Sequence, residues 1–356
     1  MAIVKMSKFN LIAFDSQRAK ILKGLQKFKE VNFIDINENV EAENIETEKI
    51  VEKNDDNFLN KININEELTK IEEKLYSVEY SINLLKKYQV IKKDIKTMMK
   101  GNDNYTFEEL AKKSAGYNLK EISSELKELG LNLDEVNSKI SKKYGELGNI
   151  SLWEKLDINP EELKKYKTVD SRLGTIPNKL KNNFIAKFSE LENTYYEELK
   201  TTKEDTYYLI ISSKDETEKT KISELLREVS FNNVDLKLNT TPENHISILK
   251  TEITELKDEK NSIKSKIKSY SDEISNLEAV YEYLKNKKLR ITESEKMAKT
   301  KNVCIIKGFI PTAKKEELEK IIKNITNENH YIDFIEAEED DESVPIKLKN
   351  NKIVST

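Results

Sequence analysis

Only one cysteine, Cys304, occurs among the 356 residues. No internal disulfide can form, and a reducing, cytosolic setting is expected. Proline (five) and glycine (eight) are sparse, which leaves long stretches free to run as uninterrupted helix. Aromatic residues make up 8% and charged ones 35%, a balance that suits long solvated helices better than one compact core. Lys+Arg number 61 against 65 Asp+Glu. Without a basic excess, nucleic acid is not expected as a partner. No apolar run approaches the ~18 residues that span a bilayer, and the start lacks a basic-then-apolar leader. Also missing are G-x-x-x-x-G-K-[ST], G-x-G-x-x-G, G-x-S-x-G and H-E-x-x-H, so no phosphate cradle, nucleophile elbow or zinc helix is expected. The two histidines, His245 and His330, are placed far apart by the elements described next, which excludes a His–His metal pair or relay. No cofactor, metal, catalytic residue or small-molecule substrate is expected.

What is present is periodicity. Between Glu243 and Lys307 there is neither Gly nor Pro, and Ile246, Leu249, Ile253, Leu256, Ile263, Ile267, Tyr270, Ile274, Leu277, Tyr281 and Leu284 recur at three- and four-residue steps, broken only by Lys260. A mean period of about 3.5 residues predicts a helix in a left-handed coiled coil. From Glu243 to Thr300 such a helix would be roughly 85 Å long at about 1.5 Å per residue. Lysine runs such as Lys264, Lys266 and Lys268 fit its solvated face.

In chain order, residues 3–14 read as a strand, Ser16 as the cap of a helix carrying Ile21, Leu22, Leu25 and Phe28, and VNFIDI (31–36) as a second strand. Residues 37–63 are polar and read as a mobile connection. Leu68, Ile71, Leu75, Val78, Ile82 and Leu85 restore the helical period, which then slips through Tyr88, Ile91, Ile95 and Met98 to stop at Gly101–Asn102. Thr106 and Glu109 form a capping-box pattern. Leu119 to Leu147 predicts a further long helix, ended by Gly145 and Gly148. Residues 165–238 then read β-α-β-β-α-β, a ferredoxin-like order, and VCIIKGFI, a helix from Thr312 and HYIDFIEA repeat β-α-β. LGTIP (173–177) and KGFIP (307–311) match in the same slot, Gly and Pro being read there as a sharp strand-to-helix turn. The expected class is α+β: two small ferredoxin-like lobes joined by a long antiparallel coiled-coil bundle, a dumbbell. Its expected segments are 1–60 and 301–356 (proximal lobe), 61–157 (outward helices), 158–241 (distal lobe) and 242–300 (return helix).

Few residues invite a functional reading. In DTYYLIIS, Tyr207, Leu209 and Ile211 face one way, Tyr208 and Ile210 the other, and Tyr195 and Tyr196 are similarly opposed. A sheet with helices on one face exposes the other. Tyr195, Tyr196, Tyr208 and Ile210 are therefore candidates to meet another subunit, the alternative being that the end of the helical bundle covers them. Trp153 is a candidate either for that interface or for anchoring the outward helix to the lobe. Cys304 is expected to be buried rather than reactive, each histidine a cap or surface residue, and the acidic run from Glu336 to Glu342 a solvated linker rather than a cation site.

The opening IVKMSKFNLIAFDSQRAKILKGLQKFKEVNFIDI, RLGTIP, the return helix, KNVCIIKGFIP and the closing VPIKLKNNKIV together resemble the cytoplasmic N-terminal half of subunit I of V/A-type rotary ATPases, counterpart of the eukaryotic vacuolar subunit a. Asn32 stands where many relatives carry a His after a Gly turn. The resemblance implies a noncatalytic stator arm on the cytoplasmic face of the cell membrane. Its implied partners are the peripheral-stalk subunits (a helical heterodimer), the central-stalk cap and, through a C-terminal domain absent here, the membrane ring that carries H⁺ or Na⁺. A free-standing coiled-coil tether is the alternative, and an enzyme hidden in one lobe a further one.

Overall fold

The computed structural model describes residues 2–37, 60–89, 105–337 and 343–349. They form two compact units, Met1–Lys127 with Tyr270–Thr356, and Glu128–Ser269.

The first unit is a sheet assembled from both ends of the sequence. From Ser7 on, Met6–Phe14 alternates, with Ser7, Phe9, Leu11 and Ala13 buried and Ile12 and Phe14 exposed; Met6, on the latter side, is buried as well. It pairs antiparallel with Val303–Pro311 along its whole length, from Met6 opposite Pro311 to Phe14 opposite Val303. Its other edge takes His330–Glu336, while Val303–Pro311 also pairs with Asn32–Phe33 and with Ala298–Lys299. Counting the two β-α-β halves as strands one to four, the order across the sheet is four, one, three, two, the ferredoxin-like arrangement. Helices Arg18–Phe28 and Lys315–Thr326 bury Ile21, Leu22, Leu25, Leu318 and Ile322 with Phe9, Leu11, Cys304, Ile306 and Ile310 in one core. Asn65–Tyr88 and Ile274–Ser294 pack on each other, burying Ile71, Val78, Ile82 and Leu85 on one and Leu277, Val280 and Leu284 on the other. Glu72–Lys288 and Lys86–Glu278, both at 2.7 Å, fix the pair as antiparallel. Phe107–Gly116 opens with the Thr106–Glu109 capping box that the spacing predicts.

The second unit repeats the topology within one continuous segment. Its strand order is Thr194–Thr201, Asp205–Ser213, Val169–Pro177, Asn232–Asn233, that is two, three, one, four, with every pairing antiparallel. Helices Lys181–Phe188 and Glu216–Glu228 cover one face, where Phe184, Phe188, Tyr208, Ile210, Ile222 and Leu226 are buried together. Within this unit the end of the Leu119–Ile150 helix lies beside the start of Pro242–Ser269. Lys143–Glu252 at 2.7 Å and His245–Glu146 at 3.0 Å join them.

Several local expectations need correction. The helix expected over 243–300 is two helices, Pro242–Ser269 and Ile274–Ser294, separated by a tight turn at Tyr270 and a 3₁₀ turn at Ser271–Glu273. The Ser-Tyr-Ser-Asp stretch there carries residues whose side chains compete with the backbone for hydrogen bonds. Ala298–Lys299 is already strand. Gly145 and Gly148 do not end their helix, which runs on to Ile150, since an isolated helical Gly costs only about 1 kcal/mol. Ser16 caps nothing; it sits inside a 3₁₀ turn whose N-cap, Phe14, makes no side-chain bond. Of VNFIDI only Asn32–Phe33 pairs as strand. Nor do Gly174 and Gly308 form turns: both lie within strands, and the turn follows Pro177 and Pro311 as a 3₁₀ step. Most of the polar 37–63 connection, the slip beyond Gln89 and residues 338–342 of the acidic run lie outside the described residues.

Lys29 ends the Arg18–Phe28 helix in the left-handed region at φ 62°, its N–H bonded to the Leu25 carbonyl at 3.1 Å. A side chain in that conformation costs roughly 1 kcal/mol that glycine avoids. Lys29→Gly should therefore raise unfolding stability by about 1 kcal/mol in urea titrations; a loss of stability would mean that the lysine side chain contributes more than its backbone costs.

Candidate functional site

The register explains where the interface candidates lie. Residues directly opposite in an antiparallel pair share a face. Tyr196 faces Ile210, and Gly174 faces Tyr208. This set points to the covering helices, so Tyr208 and Ile210 are each only 1% exposed and Tyr196 is half-buried. Phe184 meets the Tyr196 and Tyr208 rings with centroids 5.2 and 4.6 Å apart. Neither Tyr208 nor Ile210 is free to meet another subunit, which corrects the expectation for both. The opposite face is also closed. Leu173, Leu199 and Leu209 are buried there with Trp153, Leu156, Leu163, Leu236 and Ile246. Trp153 is 3% exposed and meets Tyr207 edge-on, centroids 5.1 Å apart. It therefore works as an anchor between the end of its own helix and the sheet. Of the five candidates only Tyr195, at the sheet edge, is exposed (55%).

A face that is open in part lies in the other unit, where Met6 and Phe309 on that side are buried but their neighbours toward Phe14 are not. Opposite the helices of the first sheet, Phe14 sits beside Val303, and Ile12 lies between Tyr331 and Ile305. Four residues further along the edge strand, beyond Asp333 on the same face, is Ile335. Ile12, Phe14, Tyr331 and Ile335 are all exposed, Tyr331 the most at 61%. An antiparallel sheet with one solvated face ordinarily alternates apolar and polar residues, and contiguous exposed apolar surface marks interaction sites. The signal was legible in SKFNLIAF, VCIIKGFI and HYIDFIEA, where both alternating sets contain large apolar residues.

Among the described residues, no cluster of His, Cys, Asp and Glu could hold a metal ion, and no helix is long and apolar enough to cross a membrane. His245 bonds Glu146 in the second unit, a contact that holds the glutamate below the usual carboxylate range. In the first, His330 Nδ1 lies 2.8 Å from Thr326 Oγ1. A cleft of about 290 Å³ beside Asn32 is lined by Leu22, Gln26, Phe33 and Arg290. There the Arg290 guanidinium donates to Gln26 Oε1 at 2.5 Å and lies over the Phe107 ring, and burial lowers its pKa. Nothing in the cleft pairs a nucleophile with a base. Cys304 is 0% exposed, and burial pushes its thiol up to about 11. At pH 8 it should resist Ellman's reagent in the native protein and react promptly in urea; fast native labelling would contradict its placement.

No protein-family profile matches the chain. A-type ATP synthase subunit I of Methanocaldococcus jannaschii is 24% identical over 243 residues, 66% of this chain and 35% of that protein. The chain thus spans about a third of the length of this curated relative. A crystal structure described as the cytoplasmic N-terminal domain of subunit I, homolog of subunit a, of V-ATPase aligns at a TM-score of 0.44 and 11% identity, covering 92% of this chain and 100% of that one. With a mixed helical and antiparallel-sheet fold, and with sequence likeness over two thirds of its residues, the chain resembles subunit I of the A-type ATP synthases.

Proposed function

We propose that this chain is a noncatalytic stator arm of a rotary V/A-type ATPase, linking peripheral stalks to the membrane motor so that torque is coupled to H⁺ or Na⁺ transport. The observation that carries the reading is the 24% identity over 243 residues to a subunit I. In this reading the helices form an antiparallel coiled-coil arm on the cytoplasmic side of the membrane. The sheet that joins residues 6–14 to 303–336 is the membrane-proximal lobe. Partners are the helical peripheral-stalk heterodimer, the central-stalk cap and, through a further domain, the ion-binding ring. Mechanics supports the assignment, because a stator must transmit force without yielding. Antiparallel helices cross-tied by Glu72–Lys288 and Lys86–Glu278 and lobes with closed cores resist bending and local unfolding. A tagged copy of the chain, expressed in cells that make the rotary complex, should retain both peripheral-stalk subunits through purification. Recovery of the chain without either of them would count decisively against the reading.

A further inference from the structure

We propose that a cavity in the first unit, walled by helices Arg18–Phe28, Ile274–Ser294 and Phe107–Gly116, binds a small, multiply charged anion of the phosphate class that is free in solution. The inference goes beyond the stator reading and does not depend on it.

Three observations carry it. The cavity has a volume of about 260 Å³, and its lining sets Arg18, Lys23, Lys287 and Arg290 against a single carboxylate, Glu67. In a chain of net charge −4, this local excess of cations runs against the overall balance. The cations also lack counter-charges. Arg18 is held by Asp15 at 2.7 Å, but among the described residues Lys23, Lys287 and Arg290 make no ion pair, even with Glu67. Other lysines of the same helix do: Lys285 pairs with Glu282, and Lys288 with Glu72. Lys287 and Arg290 stand three residues apart and so share one helix face. Finally, Arg290 is half-buried with most of its donors unused. Its guanidinium bonds Gln26 Oε1 and lies 5.1 Å from the centre of the Phe107 ring, which Lys23 Nζ approaches to 5.6 Å. A guanidinium offers five N–H donors, and a partly desolvated cation is costly until they are filled.

The chemistry of the occupant follows. Two ammonium groups and a guanidinium around one small volume repel each other. An anion with several oxygens converts that repulsion into charge-assisted hydrogen bonds. A lone carboxylate would leave cations uncompensated, whereas a phosphate or diphosphate matches both the charge and the room. Lysine and arginine are the ordinary phosphate-binding side chains. A lipid headgroup shares this chemistry, but it would have to leave the bilayer surface to enter a recess between helices.

Calorimetry on the full chain, with sodium pyrophosphate as the probe at fixed ionic strength, tests the site. One site per chain is expected. Arg290→Gln, and separately Lys23→Glu combined with Lys287→Glu, should each weaken binding at least about tenfold. Lys266→Glu, a like change of charge in the second unit, should leave it unchanged. Circular dichroism checks folding; Lys23 and Lys287 are exposed, so the lysine pair decides the matter if Arg290→Gln does not fold. Absence of binding at millimolar pyrophosphate overturns the inference. Equal binding by the wild type and both cavity variants does so too, since that is diffuse attraction and not a site. Flotation of the chain with phosphatidic-acid vesicles, lost in the same variants and unaccompanied by pyrophosphate binding, would give the cavity to a lipid headgroup and overturn the soluble ligand. None of these outcomes touches the stator reading, which retention of the peripheral-stalk subunits tests separately.

Discussion

Gly308→Ala should lower unfolding stability by about 3 kcal/mol or more, with Gly174→Ala following it closely. A Cβ at Gly308 would lie 2.6 Å from the Asn32 carbonyl oxygen and 2.8 Å from Phe9 Cε1, and one at Gly174 2.4 Å from the Asn232 oxygen and 2.2 Å from Phe231 Cζ. An aromatic ring can tilt, but a carbonyl oxygen moves only if the short strand carrying it withdraws. In both sheets that strand is just two residues long, Asn32–Phe33 and Asn232–Asn233, and pairs opposite the glycine. The substitution therefore sacrifices either the pairing or the packing beneath it. Guanidinium titrations of both variants, followed by far-ultraviolet circular dichroism, measure the effect. Midpoints within error of wild type would show that the short strands stand off without cost, and the proposed equivalence of the two glycines would lose its physical basis.

Trp153→Ala is the second large effect, about 3–5 kcal/mol, against less than about 0.5 kcal/mol for Tyr195→Ala. Trp153 is 3% exposed and fills the space between its own chain turn and Tyr207. The same turn is held by Lys200 Nζ, which donates to the Ser151 carbonyl at 2.8 Å. Removing the indole leaves a cavity lined by Leu156, Leu163 and Leu209, whereas Tyr195 presents its ring to solvent and keeps only a 3.2 Å bond to Glu197. Thermal and urea denaturation of the two variants separates anchor from surface residue. Equal, small effects would mean that the tryptophan is held loosely.

These contrasts show what local sequence discloses. Strands Met6–Phe14, Val303–Pro311 and Asp205–Ser213 announce themselves through runs of β-branched and aromatic residues, and the helices that follow them through 3.6-residue spacing, which reports the buried helix face directly. The LGTIP and KGFIP repeat pointed to a duplicated topology, but the glycines serve close approach rather than turning. That distinction depends on a third strand remote in sequence. Breaks such as Tyr270–Glu273 are equally hard to read, since the apolar period continues through Ile274 and Leu277 while the backbone does not. The interface candidates failed for a related reason. Tyr208 and Ile210 were assigned to a free face because both sets of DTYYLIIS are apolar, and such a pattern means that both faces are covered or that one awaits a partner. Only the segments containing Trp153 and Ile246, far away in sequence, decide for the first. In Met6–Phe14 and His330–Glu336 the same ambiguity resolves the other way.

A stator arm is one half of a heteromeric contact, whereas a free-standing tether associates with itself. Light scattering coupled to gel filtration, on the chain alone and mixed with the two peripheral-stalk subunits, addresses this most directly. The stator reading predicts a 41.4 kDa monomer that moves into a heavier complex on mixing. A concentration-dependent homodimer, indifferent to the stalk subunits, would contradict it.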